Sequence, residues 1–97
     1  FKMEYLLHYG FNDIEINDIK EANYSFITQK IGEHKNLVLQ NLTFLQELGV
    51  TNNKDIFKRH VEMFLMDNDA FEKVFNKYDR DDLIERLKYN PDLVEQL

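Results

Sequence analysis

Residues 34–50 read HKNLVLQNLTFLQELGV, and their apolar positions Leu37, Val38, Leu39, Leu42, Phe44, Leu45 and Leu48 fall on a helical period. Two stripes run through them. One holds Val38, Leu42 and Leu45, the other Leu37, Asn41, Phe44 and Leu48, and together they exceed the roughly 100° apolar face of an ordinary surface helix. A face that wide needs neighbours on two sides, so the stretch is expected to be a central helix. Gly49 supplies the residue that tolerates a positive φ where such a helix stops.

Working outward from it, residues 2–9 form a short helix candidate with Met3, Leu6 and Leu7, joined by Tyr5, pointing inward and with Gly10 as its end. Asn12 followed by Glu15 predicts a capping box for a helix to about Ala22, whose apolar residues are Ile14, Ile16 and Ile19. A short element through Tyr24, Phe26 and Ile27 follows, and Gly32 marks the break before the central helix. Beyond Gly49, Thr51, Asn52 and Asn53 offer competing caps for a helix carrying Ile56, Phe57 and Val61, with the apolar run Met63, Phe64, Leu65, Met66 after it. Asp69 with Glu72 predicts a second capping box, for a helix bearing Phe71, Val74, Phe75 and Tyr78. Asp79 caps a further helix bearing Leu83, Ile84 and Leu87. Asn90-Pro91 ends that helix, and residues 92–97 make a last short one.

Composition agrees with this reading. Ninety-seven residues with a hydrophobic fraction of 43%, including eight Phe and five Tyr, suit one folded domain with a modest, aromatic-rich core. One Pro and three Gly leave few breakers, and the class is all-α. Eighteen acidic against twelve basic residues give a net charge of −6, which disfavours a generic affinity for nucleic acid or anionic membrane. Cysteine is absent, which excludes disulfides and thiolate chemistry and fits cytoplasm and secretion equally. No apolar run approaches the roughly 20 residues of a membrane span, and no basic flank with an apolar h-region opens the chain. A soluble, cytoplasmic protein with no membrane partner is expected. The first residue is Phe1, so a fragment or processed product is expected.

The chain also resembles itself. Gly10 and Gly49 lie 39 residues apart at equivalent places, and downstream of them Asn17-Asp18-Ile19-Lys20 answers Lys54-Asp55-Ile56-Phe57. Ser25-Phe26-Ile27-Thr28 likewise answers Met63-Phe64-Leu65-Met66. The expected architecture is a small right-handed array or bundle of short helices in a single domain over residues 1–97. It is built from two to three helix-turn-helix repeats of about 37–39 residues, the first over about 1–32, the second about 33–68, and a partial third about 69–97.

These motifs resemble the mitochondrial transcription termination factor (mTERF) family, whose repeats carry a helix ending in Leu-x-x-Leu-Gly, a capped second helix and a short third turn that often holds Pro-x-Leu. The matching pieces are Phe44 to Val50 followed by Lys54-Asp55-Ile56, and Asn90-Pro91-Asp92-Leu93-Val94; Leu6 to Phe11 with Ile16 and Ile19 is similar. The resemblance implies a curved array of helix triplets that binds double-stranded nucleic acid along a basic concave groove. The acidic total departs from that pattern.

Few residues suggest chemistry. His8, His34 and His60 form no HExxH or HxxxH pair and read as solvated or cap-adjacent. An EF-hand beginning at Asp67 would place Phe71 and Tyr78 at the fifth and twelfth ligand positions, and one beginning at Asp79 would place Leu83 and Asn90 there, so neither acidic cluster fits calcium. With no Cys, a single Ser and no glycine-rich phosphate loop, neither catalytic nor cofactor-binding nor metal residues are assigned, and the chain reads as a non-enzyme without cofactors. The densest basic patch is Lys54, Lys58 and Arg59 beside His60, with Lys54 and Lys58 four apart on one helix face. Lys73, Lys77 and Arg80 form an adjacent set if the repeats pack as expected, and together these six are the candidate contacts to phosphate or a partner. Tyr5, Tyr9, Phe57, Phe64, Phe71 and Phe75 are core by their spacing, or a base-stacking platform.

Two functions follow. The first is a non-catalytic helical interaction module binding a protein partner, or the rest of its parent chain, through an apolar or acidic groove. The alternative is a nucleic-acid-binding module of the termination-factor type working through the basic face around Lys54 to Arg59.

Overall fold

The structure is a computed structural model that describes residues 3–97; Lys2, the expected first residue of the opening helix, lies outside the described residues. The elements are α1 (Tyr5–Tyr9), α2 (Asp13–Ala22), α3 (Ser25–Glu33), α4 (Lys35–Leu48), α5 (Asn53–Arg59), the 3₁₀ helix η1 (Val61–Leu65), α6 (Asn68–Asn76), α7 (Arg80–Tyr89) and the 3₁₀ helix η2 (Pro91–Gln96). The chain is all-α, a small bundle of short helices around one continuous apolar core that reaches from Met3 to Val94.

α4 is the element that the others pack around: α3, α5, η1 and α6 all lie against it. Its first stripe, Val38, Leu42 and Leu45, has no solvent exposure at all. Its second stripe is also engaged. The Phe44 ring meets Phe71 at 6.1 Å and Phe75 at 6.2 Å, and Asn41 is fully buried. The Asn41 amide donates to the carbonyls of Phe64 and Met66, each at 3.0 Å, and its oxygen accepts from Asn68 Nδ2 at 3.0 Å. Buried polar groups need such partners, and here they tie η1 and the start of α6 to the central helix.

The helix stops where the sequence predicts. Gly49 has φ +108°, and its amide donates to the carbonyls of Leu45 and Gln46 while Val50 N–H reaches back to Leu45. A side chain at Gly49 would be strained at this φ, and its Cβ would stand 3.0 Å from Ile84 Cδ1. The corner at Gly10 is built the same way, with φ +129° and with Gly10 and Phe11 donating back to Leu6.

Between α5 and α6 the core is a run of rings. Phe11 meets Phe57 at 5.5 Å, Phe57 meets Phe64 at 5.1 Å, Phe64 meets Phe71 at 5.1 Å and Phe71 meets Phe75 at 5.0 Å. These tilted and edge-on contacts place the rings in the interior, which removes Phe57, Phe64, Phe71 and Phe75 from any base-stacking platform. Tyr5 is also buried and donates its hydroxyl to Ile31 O at 2.6 Å, and burial raises that hydroxyl well above the ordinary tyrosine range. Tyr9 bridges elements, donating to Gln46 at 2.8 Å and accepting from Asn53 at 2.9 Å.

The Asn12–Glu15 capping box is present, with both reciprocal bonds made at 2.8 and 3.0 Å. Asp79 caps α7 through Asp82 N–H at 3.0 Å. Other local expectations give way to packing. Gly32 does not break the chain: α3 runs through it, and the turn comes at His34, which ends α3 and opens α4 with φ −103° and ψ 45°. A helical glycine costs about 1 kcal/mol relative to alanine, and burial of Ile27 and Ile31 on the same helix offsets that. Asp69 and Glu72 form no capping box, because α6 begins at Asn68 with Asp67 at its N-cap position, which puts Asp69 inside the first turn. Asn52 stands at the start of α5 without capping it, and donates to Leu87 O at 2.9 Å. Val61 belongs to η1 rather than α5. Leu7, expected to face inward, is exposed, and so is Ile14 among the apolar residues of α2.

Candidate interaction groove

The basic residues singled out from the sequence are not a free cationic face. Lys54 Nζ lies 3.3 Å from the carbonyl of Gly10 and 5.9 Å from the Phe11 ring centroid. Lys58 pairs with Glu15 at 2.9 Å, and this bond together with the Asn12 amide holds the Glu15 carboxyl below the usual range. Arg59 Nε meets Asp55 at 3.1 Å and its Nη1 meets Asp92 at 3.4 Å. Lys77 reaches the carbonyl of Leu97 at 3.2 Å, and Arg80 pairs with Asp81 at 3.6 Å. Lys73 is exposed on α6 and has no ion pair among the described residues. The two sets share no partner: Lys54 and Lys58 serve the corner between α1 and α2, whereas Lys77 serves the end of η2.

His60, expected to be solvated or cap-adjacent, is the cap residue between α5 and η1. Its ring is largely buried rather than solvated, with Nε2 2.9 Å from Asp92 Oδ1 and Nδ1 3.4 Å from Glu95 Oε1. The His60 bond, helped by Arg59, holds the Asp92 carboxyl below its ordinary range. No local motif announces this arrangement, because the partners are 32 residues from His60 or further along the chain. Among the described residues no group of three His, Cys, Asp or Glu side chains is placed to hold a metal ion.

Beside His60 opens a cleft of about 560 Å³ between η1, α6 and η2. Its apolar lining is Val61, Met63, Met66, Val74, Val94 and Leu97, and its rim carries Asn23, Arg59, His60, Glu62 and Glu95. Two of the three methionines of the chain lie here, and methionine adapts its shape to irregular apolar partners. The run of residues 63–66 explains the lining: Phe64 turns into the core, while Met63 on η1 and Met66, the extended residue just past its end, both line the cleft. Past Asn23 on the rim, Tyr24 and Phe26 stack on each other at 5.8 Å and stand 76% and 58% exposed, adding apolar surface outside the cleft.

A second depression of about 680 Å³ lies between α4 and α6, with Asn36, Gln40, Thr43, Glu47, Asn68 and Glu72 around Leu39 and Phe44. It is larger, but its lining is close to evenly divided between polar and apolar surface, whereas the cleft beside His60 is mainly apolar. No described helix is long and apolar enough to cross a membrane. No family model matches the chain, and neither a curated protein nor a solved structure is found to be similar to it.

Proposed function

We propose that this chain is a non-catalytic helical interaction module that binds a protein segment, from another protein or from the rest of its own chain, in the cleft between η1, α6 and η2. The observation that carries the reading is the apolar lining of that cleft with Met63 and Met66 half-exposed in it. Concave apolar sites with a few polar groups at the edge are the usual form of a binding site, and about 560 Å³ lies within their usual range. The reading keeps the module in the cytoplasm.

The alternative, a nucleic-acid-binding module, draws on the same six basic residues. Its weakness is that phosphate would have to displace Glu15 from Lys58 and two carboxylates from Arg59. Counterion release then supplies less drive than an open basic face would. The proposed kinship with termination-factor repeats rests on the motif residues 44–50 and 90–94.

Affinity capture with the wild-type chain and with a folded Met66→Lys variant separates the two readings. The expected result is a partner retained by the wild type in high salt and lost by Met66→Lys, because burial is little screened. Capture unaffected by Met66→Lys refutes the cleft. A gel shift with duplex DNA or RNA at about 50 mM salt, disappearing as salt rises, would favour the alternative.

A further inference from the structure

The rim of the cleft carries two carboxylates whose charge is little used. Glu62 is exposed on η1 and has no ion pair among the described residues. Glu95, 66% exposed, has a single polar contact, His60 Nδ1 at 3.4 Å. Arg59 on the same rim is already turned to Asp55 and Asp92. An apolar floor therefore lies between two available negative charges, on a chain whose net charge is −6.

The His60 ring stands between two carboxylates of η2, 2.9 Å from Asp92 Oδ1 and 3.4 Å from Glu95 Oε1, so Glu95 is the more loosely held of the two. α6 and the end of α2 present only the uncharged Val74 and Asn23 to the cleft.

Building on the cleft as the docking site, we propose that its occupant is an amphipathic helical segment with Lys or Arg beside its apolar row. Those cations pair with Glu62 and Glu95. The apolar row fills the lining of Met63, Met66, Val74 and Leu97, as helices in grooves do with anchors at i, i+3, i+4 and i+7. The negative net charge of the protein favours the approach of a cationic segment.

The test uses the whole 97-residue chain and two synthetic helical peptides with leucine at i, i+3, i+4 and i+7, one flanked by lysines and the other by glutamates. Affinity is followed by NMR, with the methyl signals of Met63 and Met66 reporting the site. The lysine peptide is expected to bind about tenfold tighter than the glutamate peptide, from two exposed pairs gained against two repulsions. Glu95→Gln should weaken it about threefold, since one exposed pair is lost.

Equal binding of the two peptides at the methionines overturns the charge proposal and leaves the docking site standing. An affinity for the lysine peptide that is unchanged in Glu95→Gln overturns the pairing with Glu95. If neither peptide shifts the methionine signals, the docking reading falls with the proposal.

Discussion

The seam around α4 and the wall that η2 makes along the cleft are held by opposite means. In the seam, Val38, Leu42 and Leu45 are wholly buried, and Asn41 has every polar atom paired with backbone or Asn68. At the wall, η2 contributes Val94 to the core, and its other ties to α5 include exposed contacts from Asp92 and Glu95 to Arg59 and His60. Dry packing of the first kind is worth several kcal/mol per large side chain, whereas exposed ion pairs are worth about 0–1 kcal/mol each. The stable part of the molecule and the part offered for binding are thus distinct, with Asn41 joining them through the carbonyls of Phe64 and Met66.

The largest test of this contrast is Leu45→Asp. A carboxylate with no partner in the seam should cost more than about 4 kcal/mol and leave the chain unfolded by circular dichroism. A stable, folded Leu45→Asp variant would show that α4 is not the centre of the bundle.

Next is Asn41→Ala, which leaves the carbonyls of Phe64 and Met66 and the Asn68 amide without their partner. Urea denaturation should show a loss of about 1–3 kcal/mol, and amide exchange should speed up in η1 more than in α4. Uniform exchange across both would mean that Asn41 does not tie the cleft floor to the seam.

The smallest effect concerns the exposed pairs. The Glu15 carboxyl is lowered by Lys58 and the Asn12 amide, so its contribution is present above the ordinary glutamate range and is lost as pH falls through its depressed folded value. Glu15→Gln should therefore reduce stability slightly near neutrality and make the urea midpoint less sensitive to acid over that window. A variant as acid-sensitive as the wild type would show that the pair is inert.

How much could be read beforehand depended on the range of the interaction. The ends of α4 and α2 were legible, since Gly49 and the Asn12–Glu15 box act within four residues of where they stand. Gly32 misled because a glycine's local cost is small beside the burial of Ile27 and Ile31. Asp69 misled because α6 begins at Asn68, whose bond to Asn41 ties the start of the helix to α4, and local spacing does not contain that bond. The basic patch was correctly placed on one helix face at Lys54 and Lys58. Its contacts with Gly10, Glu15 and Asp92 were invisible, since those partners lie more than 30 residues away. The carboxylates beside His60 were hidden for the same reason.

By itself the sequence determined an all-α chain, the position and two-sided burial of the helix at 34–50, its glycine stop and the inward faces of Phe57, Phe64, Phe71 and Phe75. Each of these follows from periodicity and capping, whose physics is confined to one or two turns. The tertiary structure alone decided that η1, α6 and η2 leave an apolar cleft, that Lys58 meets Glu15 and Arg59 meets Asp92, and that His60 sits between two carboxylates. Those depend on the angles at which helices pack, and packing is set by the joint fit of side chains far apart in the chain.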